Sequence, residues 1–119
     1  MAELASLAGA EGITAAELSG IGAFSSAVIG FYNLEAKEYD RIPVDEDTEV
    51  LSFLGNLSIV DEEPRVHAHV SLGTRDGSAI GGHLFEATCG ATVELFVREE
   101  PGELRRVPDP GAGLPLLDL

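Results

Sequence analysis

Cysteine is nearly absent: Cys89 is the only one in 119 residues. No intrachain disulfide can form, so stability has to come from a packed core, and a reducing, cytoplasmic setting fits best. Its apolar surroundings mark Cys89 as a small buried residue rather than a catalytic thiol. No apolar run approaches the roughly 20 residues of a membrane-spanning helix. The start, Met1-Ala2-Glu3-Leu4, has neither a basic stretch nor a long apolar one, which speaks against a secretory signal. Positive charge is also scarce. Seven Lys+Arg, with Lys37 the single lysine, stand against 21 Asp+Glu, for a formal net charge of −14. Such a surface repels phosphate backbones, so DNA binding by this chain alone is not expected. Arg105-Arg106 is the only adjacent basic pair, and Glu99, Glu100 and Glu103 offset it. The acidity fits either a highly soluble surface or an origin in high salt, where carboxylate repulsion is screened.

What is present suffices for one domain. The chain is 45% hydrophobic and carries 14 Gly and six Pro, which implies a real core and many turns. Residues 2–11 read as a short helix, with Leu4, Leu7 and Ala8 on one face and Gly12 as its stop. From Ile13 onward the pattern is β. Ile13–Ser19 and Ser26–Asn33 are candidate strands joined by Gly20-Ile21-Gly22-Ala23, which is weak as a phosphate loop. Glu38–Val44, Glu49–Val60, Arg65–Leu72 and Ala79–Val97 follow. Asp76-Gly77 is a hairpin signal before the last of these. Residues 99–119 read as a Pro/Gly-rich tail that covers one sheet edge. The fold class is α+β, a largely antiparallel sheet with one short N-terminal helix packed on it. That helix is too short to cover the sheet, so the uncovered face predicts oligomerisation.

All three histidines, His67, His69 and His83, fall within 17 residues. On a strand, the His-x-His spacing puts two imidazoles on one face, roughly 6.5–7 Å apart along the chain. Three imidazoles with an open fourth position describe a zinc site that holds water or substrate, and nickel, iron or copper suit the same ligands. Histidines that pack and hydrogen-bond without an ion are the other reading. Glu86 is a candidate for a supporting carboxylate. Register decides whether His83 can join the pair. A plain two-residue turn at Asp76-Gly77 sets His83 against Val70, on the wrong face. An extra residue at Gly81-Gly82 sets it against Ser71, on the histidine face, and leaves Glu86 on the opposite one. The sequence therefore predicts a bulge or break at Gly81-Gly82, with the three rings converging. Otherwise His83 meets the pair across a subunit boundary.

Several segments, taken in order, closely resemble the plants-and-prokaryotes-conserved (PPC) domain, the domain associated with AT-hooks, in its stand-alone prokaryotic form. They are Ser19-Gly20-Ile21-Gly22-Ala23, Gly30-Phe31-Tyr32 with Glu38-Tyr39, and Glu49-Val50-Leu51-Ser52 with Gly55-Asn56-Leu57-Ser58. His67-Ala68-His69-Val70-Ser71-Leu72 and Gly81-Gly82-His83-Leu84 complete the series. The domain spans 1–98 in this reading, with 99–119 as the tail. The strand that usually precedes the helix is missing from the match, which implies a trimmed or mis-assigned start and an exposed sheet edge. The resemblance implies a homotrimer and a metal, zinc by preference, on His67, His69 and His83. No Arg-Gly-Arg-Pro hook is present. The segment matching the plant partner-binding motif, Glu46–Leu51, has Asp47 and Thr48 in place of its basic and aromatic members, so plant-type partners do not carry over. The expected function is a trimeric metal-binding module with a structural, ligand-sensing or interaction role. A metal-dependent enzyme acting through bound water and a DNA-associated regulator are the alternatives.

Overall fold

The computed structural model describes residues 1–118. Helix α1 spans Ala2–Glu11 and ends where expected. Gly12 turns left-handed (φ 71°), and the Ile13 N–H returns to the Ala8 carbonyl at 2.9 Å, satisfying a carbonyl that the last turn leaves open. Leu4 and Ala8 face inward, but Leu7 remains 52% exposed, so the inward stripe is narrower than the spacing suggests. No helix among the described residues is long and apolar enough to cross a membrane.

Seven strands follow: β1 Ala16–Asn33, β2 Glu38–Val44, β3 Thr48–Val60, β4 Glu63–Gly73, β5 Ala79–Glu99, β6 Arg106–Asp109 and β7 Leu114–Leu117. The two strands expected before Asn33 are one. Gly20-Ile21-Gly22-Ala23 lies inside β1, where the register against β3 slips between Gly20 and Gly22. Gly22 has φ 147°, and a Cβ there would strike the Thr92 carbonyl of β5, so only glycine lets the strands cross this closely. This segment is a strand irregularity, not a phosphate loop.

The main sheet runs β2-β1-β3-β4-β5, all antiparallel, and β1 also pairs with β5. That extra pairing curls the sheet back on itself. Leu18, Phe24, Ile29, Phe53, Val70, Leu72 and Leu84 fill the inside, each burial stabilising by about 1.5–3 kcal/mol. Met1 and Leu4 of α1 pack against this core, while Ala8 meets Ala16 and Leu57. Closure, rather than the helix, therefore covers most of the inner face. The outer face keeps Phe31, Leu51, Leu54 and Phe96 exposed. Cys89, expected to be buried, is exposed on β5. The tail is not loop alone: β6 and β7 form a second, two-stranded sheet.

Candidate metal centre

Along β4, Ala68, Val70 and Leu72 point into the core, so the alternate residues His67 and His69 point out. On β5, Leu84 is buried and its neighbour His83 faces out. The two strands pair regularly from Gly73–Ala79 through Val70–Gly82 to His69–His83. His83 thus joins the histidine face within one chain, but not by the expected device. There is no bulge at Gly81-Gly82, and His83 faces His69 rather than Ser71. The parity is set in the turn. Thr74–Ser78 makes a five-residue loop in place of a two-residue one, pinned by Asp76 Oδ1, which accepts from Thr74 Oγ1 (2.6 Å) and from the Ser78 N–H (2.9 Å). Gly77 takes φ 83° within it. The two glycines serve close approach instead. A Cβ on Gly81 would lie 2.5 Å from the Val70 carbonyl oxygen, and one on Gly82 would lie 2.6 Å from that of Gly30.

The three rings form a near-equilateral triangle, with centroids 5.2, 5.3 and 5.5 Å apart. One nitrogen from each lies within 4.8 Å of the others. A tetrahedral zinc with bonds of about 2.0–2.1 Å needs donors roughly 3.3 Å apart, so small rotations would draw the rings onto an ion. His67 and His83 are half-buried and His69 is exposed. His83 packs against Tyr39 and, edge to face, against Phe85, both at 4.8 Å, and its Nδ1 is buried without a hydrogen-bond partner. An orphaned imidazole nitrogen is costly unless something takes its lone pair or proton. This atom and the all-imidazole donor set both fit a divalent transition metal. Glu86 does not join the cluster. The β1–β5 register shifts between Val28 and Ile29, and Glu86 pairs with Val28, lining a separate hollow with Ser26 and Asp45.

A residue outside the expected set reaches the site from the tail. Arg106, at the start of β6, extends Nη2 to His67 Nδ1 (3.0 Å) and donates to Asn56 Oδ1 (3.1 Å). Its Nε donates to the buried Ser58 Oγ (3.1 Å), and Nη1 to the Pro115 carbonyl (3.3 Å). An arginine can only donate, so His67 Nδ1 accepts and its ring proton sits on Nε2. A metal on His67 would have to displace either that proton or the guanidinium. The β6–β7 hairpin is tied down by Tyr32 Oη donating to the Ala112 carbonyl (2.6 Å) and Lys37 Nζ to that of Pro110 (2.8 Å). The sequence signal for Arg106 was the Arg105-Arg106 pair. The pair splits: Arg105 turns to Glu62 and Glu103, while Arg106 turns to the histidines.

Burial pushes the His83 imidazole down to about 4, aided by His67, His69, Arg106 and Arg41. Burial, with Arg106 and then His69, lowers His67 too. An unfolded imidazole takes its proton near 6.5. Between about 6.5 and 4 the unfolded chain therefore binds more protons than the folded one, and stability falls as pH falls through that window. Above it the term vanishes. Metal-free protein should denature more easily at pH 5 than at pH 7.5, and His83→Ala should narrow that difference. Equal pH sensitivity of the two in equilibrium denaturation would show that His83 is not held neutral by the fold.

The profile of the Plants and Prokaryotes Conserved domain family matches residues 1–101. Among curated proteins nothing matches. Solved structures do. A PPC protein of Pyrococcus horikoshii is 38% identical, with a TM-score of 0.93 over 99% of this chain and 82% of that one. A metal-containing protein of Archaeoglobus fulgidus is 42% identical, with a TM-score of 0.92 over 99% and 84%. A candidate DNA-binding protein of Bacteroides thetaiotaomicron is 30% identical, with a TM-score of 0.94 over 98% and 82%. The histidine triangle, the curled sheet and these likenesses agree, and the chain belongs to the Plants and Prokaryotes Conserved domain family.

Proposed function

We propose that this protein is a homotrimeric metal-binding module in which His67, His69 and His83 of each chain hold one divalent transition metal, zinc by preference. The observation that carries the reading is the convergence of three outward imidazoles, each offering one nitrogen within 4.8 Å of the others. The metal-containing relative from Archaeoglobus supports it. A bound ion of this kind supplies Lewis acidity at an open coordination position. The chain's own residues pack His83 against Tyr39 and Phe85, and the β6–β7 hairpin reaches the site through Arg106. A cleft of about 350 Å³ opens on His67 and His83. That opening favours a ligand-sensing role over a purely structural ion, since structural zinc sites are closed.

The trimer rests on the outer apolar residues. Within β3, Val50, Phe53, Leu57 and Ile59 serve the chain's own core, so only Leu51 and Leu54 remain for subunit contact. Leu54 is 58% exposed and pairs with His69, which puts that contact beside the site; Phe96 is 76% exposed. Native mass spectrometry of protein purified without a histidine tag tests both parts. The expected species is three chains carrying three ions. A metal-free monomer at micromolar concentration would sink the reading.

The DNA-binding description of the Bacteroides relative does not carry over. At a net charge of −14, with Arg105 and Arg98 already paired to glutamates, few cations remain to neutralise the phosphates of a duplex. No sequence-specific binding is expected at ~0.15 M salt. Submicromolar retention of a defined duplex with a steep salt slope would overturn this.

A further inference from the structure

We propose that the cleft beside the histidines binds a small organic carboxylate with an apolar body, held by the Arg106 guanidinium. The chain has three times as many acidic as basic residues, 21 against seven. Arg98 and Arg105 both have glutamate partners. Among the described residues Arg106 has no carboxylate partner; the same holds for Arg41, Arg65 and Arg75, but those are exposed to water, whereas Arg106 is part-buried. Its partners are a hydroxyl, an amide, an imidazole and a carbonyl, all neutral. A half-buried cation surrounded by neutral groups is expensive unless an anion compensates it. The cleft that Arg106 lines, about 350 Å³, is large enough for such an anion.

The walls select the kind of anion. His67, His83 and Tyr39 sit at one end with Arg106, and Arg65 stands at the rim. Val66, Leu114 and Leu116 line the rest. Four of the five guanidinium N–H groups of Arg106 are engaged, and the remaining Nη1 N–H can donate to one carboxylate oxygen in a charge-assisted bond. The aliphatic wall of Val66, Leu114 and Leu116 suits a hydrocarbon body. The inference rests on the metal reading for a cation beside the carboxylate, while the guanidinium contact stands without it.

Calorimetric titration with phenylacetate, acetate and phenylacetamide, on zinc-loaded and on metal-free protein of measured metal content, tests this. Phenylacetate should bind once per chain, about tenfold or more tighter than either control, since a charge-assisted hydrogen bond of about 1.5–3 kcal/mol is at stake. Arg106→Gln should lose about the same factor, and Arg106→Lys less. Equal affinity for phenylacetate and phenylacetamide overturns the inference on the unaltered protein, whatever the variants do. Equal affinity for acetate overturns the apolar selection. A chain that takes no metal yet still prefers phenylacetate overturns the metal reading and upholds the carboxylate site. A metal-loaded chain without that preference does the reverse.

Discussion

His83→Ala is expected to lower metal affinity more than about 100-fold, leaving protein purified without a tag essentially free of metal. Groups that merely orient a ligand are worth about 10–100-fold, and a ligand itself should exceed that. The fold should survive the change. His83 faces outward, and the buried side chain beside it is Leu84. The substitution also removes the orphaned Nδ1, whose burial costs about 1–3 kcal/mol, and this offsets the packing lost against Tyr39 and Phe85. Metal-free His83→Ala should therefore unfold within about 1 kcal/mol of the metal-free parent. Metal analysis by mass spectrometry and urea denaturation of both proteins check the two halves. Retention of stoichiometric metal would remove His83 from the ligand set.

Gly82→Ala is expected to damage folding and site together. The added Cβ would lie 2.6 Å from the Gly30 carbonyl oxygen and 3.3 Å from its carbon, both backbone atoms of β1. Backbone cannot rotate aside as a side chain can, so β5 must move away from β1. Gly30 is the residue that pairs with His83, so the movement passes directly to the histidine cluster. Overpacking of this kind costs about 1–3 kcal/mol, or about 5–15 °C in Tm for a domain of this size. Metal affinity should fall as well, although no ligand has changed. A thermal melt of the metal-free variant and a zinc titration read the two effects. A variant with unchanged Tm and unchanged zinc affinity would show that the strands do not need glycine at this crossing.

The sequence by itself determined where β2 to β5 run and which of their side chains alternate, although it split β1 in two and read β6 and β7 as tail. Glu38–Val44 is bounded as read, and α1 ends at Gly12, because period and turn residues are local signals. The pairing of His67 and His69 on one face follows from the two-residue repeat of a strand, with Ala68 buried between them. The acidic character is likewise a property of composition. Register was not legible. Asp-Gly is compatible with a two-residue turn or a longer loop, and the Asp76 carboxylate bonding to Thr74 and Ser78 chooses the five-residue form. That choice turns His83 toward its partners, and the bulge in β5 falls near Phe85 instead of at Gly81-Gly82. Closure of β1 on β5 was also hidden, since it depends on glycines whose close contacts lie some 50 to 70 residues away. Arg106 was the largest omission. It lies 39 residues beyond His67 in a segment that reads as loop, and only the docking of the β6–β7 hairpin carries it to the histidines. Local periodicity reports which way a side chain points relative to its own backbone, whereas a site is made by what other strands bring to that face.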